Sequence, residues 1–173
     1  MTITRLISPA DATELAALLT ANRDFLQPWE PVRSESYFTA EGQLTGIEDA
    51  LDRHAQGSTQ PHVIVDSGQI AGRITLNGIV RGPFLSCSMG YWVSQSANGR
   101  GLATAAVREM LGVAFTRLGL HRVQAETLAH NIGSQRVLER NGFERIGMAP
   151  AYLRIAGQWQ DHILFQLLNP ARS

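Results

Sequence analysis

Apolar residues along this 173-residue chain recur at two periods, and the switches between them mark its elements. Thr2 to Ile7 alternate weakly, as in a short strand. Ser8-Pro9-Ala10-Asp11 then carries the start signals of a helix: an N-cap serine, a proline in the first turn and a carboxylate three residues after the cap. Leu15, Leu18 and Leu19 supply its buried face. FLQPWEPVRSESYFTAEG follows neither period and reads mostly as a loop, whereas Leu44, Ile47, Leu51 and His54 mark a second helix. HVIVDSGQIAGRITL reads as two strands turning at Asp66, Ser67 and Gly68. After the Gly82–Pro83 break, FLSCSMGYWVS is apolar on both faces, as a central strand is. From Gly101 to Leu118 an apolar stripe recurs at helical spacing. HRVQAETL is a strand, NIGSQRVLERNG a helix closed by Gly142, and the tail two strands turning at Ala156–Gly157. The order predicts one domain over 1–173: a mixed α/β sheet of about seven strands, flanked by helices.

Bulk composition narrows the partners. Hydrophobic residues make up 44% and charged residues 17%, and the formal net charge is +0. A nucleic-acid binder needs a concentrated cationic face, and no basic run exists, so no nucleic-acid partner is expected. No apolar stretch is long enough to span a bilayer and the amino terminus lacks a signal-peptide core, which predicts a cytoplasmic protein with no membrane partner. Cys87 is the only cysteine, and it lies in an apolar run that suits a buried strand residue better than a nucleophile. The five histidines show no close pairing, so no metal is expected.

The informative segment is GYWVSQSANGRGLATAAV. A strand ends near Ser94, a polar turn holds Gly99 and Gly101, and a helix starts at once. Such a turn aims backbone N–H groups and a helix N-terminus into one space, and glycine lets a phosphate approach the main chain. The plain alternative is a tight connection that needs positive φ. It is neither a P-loop nor the dinucleotide fingerprint. Gly90, inside the preceding strand, predicts a bulge or the close approach of another backbone. Two adjacent strands splaying apart beside the turn offer a slot for a long amide-bearing ligand such as phosphopantetheine.

These residues resemble the GCN5-related N-acetyltransferases, and within them the RimJ/RimL-type branch that acetylates protein amino termini. The resemblance spans Ile3 to Leu168 and is carried by FLQPWEP, GYWV, NGRGLATAAV, HNIGSQRVLERNGF and GQWQDHILFQL. It implies acetyl-CoA as cosubstrate, held in a splayed pair of parallel strands. The family's phosphate motif falls on Asn98, Gly99, Arg100, Gly101, Leu102 and Ala103, running into Thr104; Asn98 stands where Gln or Arg is usual. By resemblance, the amides of Gly99, Arg100, Gly101 and Ala103 hold the pyrophosphate. Trp92, Val93 and Ser94 pair with pantetheine, and Asn131 contacts its arm. Ser134 matches a serine that steadies the departing thiolate. The tyrosine that many relatives use is replaced by Leu138.

Attack by an amine needs its proton removed, and Glu126 on the strand before the splay is the candidate base, or else a surface strand carboxylate, or a partner for a nearby arginine. Ser134 and Asn131 each have a second reading as helix-capping residues. Phe25, Trp29 and Tyr37 are read as a wall of the acceptor pocket, or as anchors of an irregular loop. With no placed cysteine nucleophile, the expected mechanism is direct attack in a ternary complex. The acceptor is expected to be a peptide amino terminus. A small-molecule amine and a non-catalytic acetyl-CoA-binding module are the alternatives. Edge strands at the tail can pair in a homodimer.

Overall fold

The computed structural model describes residues 2–171. It is built around one seven-stranded sheet in the order β1-β2-β3-β4-β5-β7-β6. The strands are β1 (Thr4–Leu6), β2 (Gln60–Asp66), β3 (Gln69–Val80), β4 (Ser86–Val93), β5 (Arg122–Leu128), β6 (Glu144–Ile155) and β7 (Gln158–Leu168). The helices are α1 (Ala12–Ala21), α2 (Arg23–Leu26), α3 (Ala40–Ala55), α4 (Leu102–Gly112) and α5 (Ile132–Arg140). Every neighbouring pair of strands is antiparallel except β4 and β5, which are parallel.

Local chemistry explains the element boundaries. Ser8 Oγ accepts from Ala10 N at 3.2 Å and Asp11 Oδ2 from Ser8 N at 2.8 Å, a reciprocal cap that opens the turn leading into α1. The β2–β3 turn puts Ser67 at φ 51° and Gly68 at φ 85°, the two left-handed positions of a hairpin turn. Ala156 and Gly157 do the same between β6 and β7.

Three details depart from the periodicity. The aromatic stretch after α1 is short helical turns, α2 and two 3₁₀ turns (Gln27–Trp29 and Glu35–Phe38), since Pro28 is compatible with a first turn but not with a long helix. The stripe expected to run helically to Leu118 widens after Gly112 into a π-turn, where Leu118 N bonds Val113 O at 2.9 Å. Gly90 forms no bulge: it pairs in register with Thr75, and the irregularity lies in β3 between Asn77 and Val80, where Gly78 has φ 55°.

The two faces of the sheet carry separate cores. One contains Ile74, Leu76, Met89, Val107, Met110, Val123, Leu138 and Phe165, packed beneath α4 and α5. The other joins Leu15 of α1 and Ile47 of α3 to Val63 and Ile70. Cys87 is buried in the first, and burial pushes its thiol up to about 12, which keeps it protonated and unreactive.

Candidate active site

The parallel pair is held together over only three registers, Ser86 with Arg122, Cys87 with Val123 and Ser88 with Gln124. Both strands continue, β4 to Val93 and β5 to Leu128, but they no longer pair. Ser94 N–H bonds Ala71 O at 2.7 Å, which fixes the alternation of the β3–β4 ladder. Trp92 and Gly90 therefore exchange backbone bonds with β3, while Tyr91 and Val93 turn their backbone groups toward β5. Across the gap, Asn169 N bonds His121 O, so by the same alternation Glu126 and Leu128 turn theirs toward β4. The result is a slot edged by unpaired strand amides and carbonyls.

At one end of the slot lies the glycine turn. Gly99 and Gly101 have φ 74° and 79°, and a Cβ built on either would meet nothing within 4 Å. Glycine is therefore required by backbone conformation, and the space in front of it is open. Gly101 is the N-cap of α4 and supplies no side chain; the first helical bond is Ala105 N to Gly101 O at 3.0 Å. The amides of Leu102, Ala103 and Thr104 thus precede the helical ladder and face out of its positive end. Asn98 Oδ1 accepts from Gly99 N at 3.0 Å, so this amide is already engaged. The Arg100 guanidinium is turned away to Asp66 at 2.7 Å. Asn22, which sequence reasoning missed, joins the turn to the aromatic loop: its Oδ1 accepts from Gln95 N and its Nδ2 donates to Leu18 O, both at 2.8 Å. Only its buried position distinguishes it from any other helix-end asparagine.

Two cavities open on either side of the parted strands. The first, about 380 Å³, is lined by Phe25, Val93, Asn98, Ala103, Asn131 and Ile132 among others, and leads from the glycine turn. The second, about 370 Å³, is lined by Glu30, Tyr37, Arg73, Gly90, Glu126 and His162 among others. Leu26, Trp29, Tyr91, Trp92, Asn131 and Ser134 border both. Gly90 explains the depth of the second: it lies between Thr75 and the continuation of β5, and any side chain there would fill the floor. Leu153 and Ile155 of the β6–β7 hairpin form a wall of this cavity, and the hairpin tip is tied to the aromatic loop by Ala156 N to Glu30 O at 3.0 Å.

The expected residues divide between these spaces. Trp29 and Tyr37 line the second cavity, whereas Phe25 lines only the first. The Trp29 ring lies 5.4 Å from that of His130, and Arg33 lies over Tyr37 at 4.5 Å, so both aromatics have fixed neighbours. Of Trp92, Val93 and Ser94, Val93 turns its backbone into the slot, the Trp92 side chain borders both cavities, and Ser94 is buried beneath them. Leu102 packs on the core and Thr104 O accepts from Asn141 Nδ2 at 3.2 Å.

The junction is chemically specific. Asn131 is the N-cap of α5, its Oδ1 accepting from Ser134 N at 3.1 Å, so capping is done by Asn131 and leaves Ser134 Oγ free. Ser134 Oγ instead lies 2.8 Å from the Tyr91 hydroxyl, which is also 3.3 Å from Ser134 O. Burial pushes Tyr91 up to about 12, opposed by its hydrogen bond to Ser134, so it stays a neutral hydroxyl. Tyr91 was not singled out from the sequence; within GYWV it reads as an ordinary strand aromatic. Leu138, at the position of the relatives' tyrosine, is fully buried and belongs to the core.

Glu126 faces the second cavity and accepts from Ser88 Oγ at 3.1 Å. It has no arginine partner among the described residues. Burial raises its pKa above the ordinary carboxylate range, opposed by the Ser88 hydrogen bond and by His162. His162 is buried beside it, with Nδ1 2.9 Å from Gln160 O. Among the described residues no group of three His, Cys, Asp or Glu is placed to hold a metal ion, and no helix is long and apolar enough to cross a membrane.

Residues 2–144 match the family model described as acetyltransferase (GNAT) domain. The chain is 38% identical over 174 residues to the [ribosomal protein uS5]-alanine N-acetyltransferase of Escherichia coli K12, covering 97% of this chain and 88% of that one. Its fold is similar to the crystal structure of ribosomal-protein-S5-alanine acetyltransferase from Vibrio fischeri, with a TM-score of 0.93 and 34% identity over 98% of this chain and 94% of that one. It is also similar to Mycobacterium smegmatis RimJ in complex with CoA-disulfide, with a TM-score of 0.92 and 30% identity over 95% and 80% of the two chains.

Proposed function

Because this chain belongs to the acetyltransferase (GNAT) domain family and is an acetyltransferase enzyme, we propose that it acetylates the free α-amine of a protein or peptide by direct attack in a ternary complex. The observation that carries this reading is the pair of cavities meeting at Ser134 and Tyr91 between parted parallel strands. Acetyl-CoA fits the first: the free amides before α4 and the open space at Gly101 suit a pyrophosphate, and the slot edges at Tyr91 and Val93 suit the amides of pantetheine. When bound, acetyl-CoA supplies an acetyl thioester whose sulfur departs as a thiolate.

The residues around that junction have separable tasks. Glu126 accepts the ammonium proton of the incoming amine, directly or through water, and His162 stands beside it. Ser134 Oγ–H donates toward the leaving sulfur, and Tyr91 O–H donates to Ser134 Oγ, so the serine proton stays directed into the slot. The peptide reading is favoured over a small amine by the identity to a protein-acetylating relative and by the two-sided cavity, with the aromatic loop on one side and the β6–β7 hairpin on the other. The reading extends to one catalytic domain in the cytoplasm, and to a homodimer through edge strand β6, which exposes Ile146 and Met148. Thiol release measured with free-amine peptides beside small amines tests it. Turnover confined to small amines would refute the peptide assignment, and no turnover with any amine would refute catalysis.

Two further results are expected. Trp29→Ala should raise the acceptor KM by about tenfold, the effect of removing one aromatic wall, and weaken binding of acetyl-CoA, whose cavity it also borders, by a smaller factor. Steady-state kinetics with calorimetry checks this; equal loss of both affinities with a lower Tm would make Trp29 a packing anchor. The second concerns pH. A base must be ionised, and Glu126 is raised, so kcat/KM should fall as pH drops through a value above the ordinary carboxylate range. Glu126→Gln should abolish that acid limb and reduce turnover by roughly 10²–10⁴-fold. An unchanged profile would remove Glu126 from the chemistry.

A further inference from the structure

The acceptor cavity holds a cation with no carboxylate partner among the described residues. Arg73 lines it from the middle of β3, next to Trp92, and its Nε is buried without a hydrogen-bond partner. Among the described residues no hydrogen bond, ion pair or ring contact engages either of its terminal nitrogens. The other charges of the cavity are accounted for. Arg33 pairs with Glu30 at 3.6 Å and lies over Tyr37, and Glu126 accepts from Ser88. Burial pushes the Arg73 pKa down; Tyr37 opposes this, while Arg33 and Arg53 add to the positive potential there. Arg73 is half-buried, and a guanidinium partly withdrawn from water without a counter-charge is costly, so such groups are normally paired. Its fork of donors matches a carboxylate better than any neutral group.

We propose that Arg73 is a specificity-determining residue that reads a carboxylate on the acceptor, namely an acidic side chain at the second or third residue of the chain being acetylated. This rests on the peptide reading above. The position follows from the register. Continuing the β4–β5 pairing places Glu126 beside Gly90, while Arg73 is opposite Trp92, one strand further and two residues along on the same face. With strands about 4.8 Å apart and a rise of about 3.3 Å per residue, their backbones lie roughly 12 Å apart, more where the strands part. Both side chains line the cavity that covers this span. An extended peptide with its amine at Glu126 therefore brings its second or third side chain, rather than a distant one, to the guanidinium. Tyr37 and Trp29 flank the path, and Glu30 is held by Arg33.

The test uses amidated peptides with free amino termini, identical except for Asp or Glu against Asn or Gln at the second or third residue. With acetyl-CoA and the intact protein, kcat/KM for the acidic peptides should exceed that for their amides by about tenfold or more, mainly through KM. Arg73→Gln should erase the preference, and Arg73→Lys should keep part of it. Calorimetric binding of the acidic peptide with coenzyme A present gives a second readout, which Arg73→Gln should weaken and added salt should reduce. Acetyl-CoA affinity of each variant reports on folding. Equal use of acidic and neutral peptides by the unaltered protein, or a preference that survives Arg73→Gln, overturns the proposal while leaving peptide acetylation standing. If only small amines are turned over, the peptide reading fails. Arg73 is then judged on amines with and without a carboxylate: a preference lost in Arg73→Gln retains its carboxylate-reading role, and no preference overturns it.

Discussion

Replacing Gly101 by aspartate is expected to weaken acetyl-CoA binding by about a hundredfold, or roughly 2.7 kcal/mol, while the protein remains folded. The position is exposed, has φ 79°, and a Cβ there meets nothing within 4 Å, so the substitution makes no clash. Its cost to the fold is the left-handed backbone alone, about 1–2 kcal/mol, and aspartate tolerates that region better than most residues. The cost to binding is larger because the new carboxylate occupies the space in front of the free amides of Leu102, Ala103 and Thr104. Like charges about 4 Å apart near a protein surface repel by roughly 4 kcal/mol before screening. Calorimetric titration together with a thermal melt checks the result. Unchanged affinity in a folded variant would move the cofactor elsewhere.

Ser134→Ala is expected to lower kcat by about 10²-fold, as removal of a transition-state hydrogen-bond donor does, with little change in acetyl-CoA affinity. Tyr91→Phe should lower kcat in the same direction by a smaller factor, and the double variant should be scarcely worse than Ser134→Ala alone, since the tyrosine acts through the serine. That pattern would make Tyr91 a positioning residue. The structure separates this from a stability effect, because the α5 cap belongs to Asn131. Asn131→Ala should cost about 1 kcal/mol of stability, and Ser134→Ala much less. Single-turnover kinetics and melts on one preparation decide. A Ser134→Ala enzyme with unaltered kcat would leave the thiolate without this donor.

Much of the architecture was legible because it follows from local rules. The capping signals at Ser8 and Asp11, the hairpin turns at Ser67–Gly68 and Ala156–Gly157, and the change of period after Gly101 each act over a few residues. They gave the element order, and that order leads to a seven-stranded mixed sheet. The glycine turn was equally legible, since positive φ and an open helix end leave a mark in residue types. The bulge or close backbone approach expected at Gly90 is absent there for a related reason. A glycine in a strand signals missing side-chain volume, and sequence does not say whether a bend or a ligand cavity uses it.

Sequence by itself determined most of the elements, the glycine turn before α4 and, through resemblance, the family. The tertiary structure alone decided which side chains meet. Tyr91 and Ser134 are 43 residues apart, and their contact depends on β4 parting from β5 so that α5 can approach. The assignment of the cap to Asn131 rather than Ser134 needed atomic positions, because both residues suit a helix start. Arg73 looked like one more polar residue in a hairpin. Its Nε is buried, and has no partner among the described residues, because the aromatic loop and the β6–β7 hairpin lie over β3. Local propensity is written in neighbouring residues, whereas a site is made from distant ones, and only packing fixes their distance and their solvent.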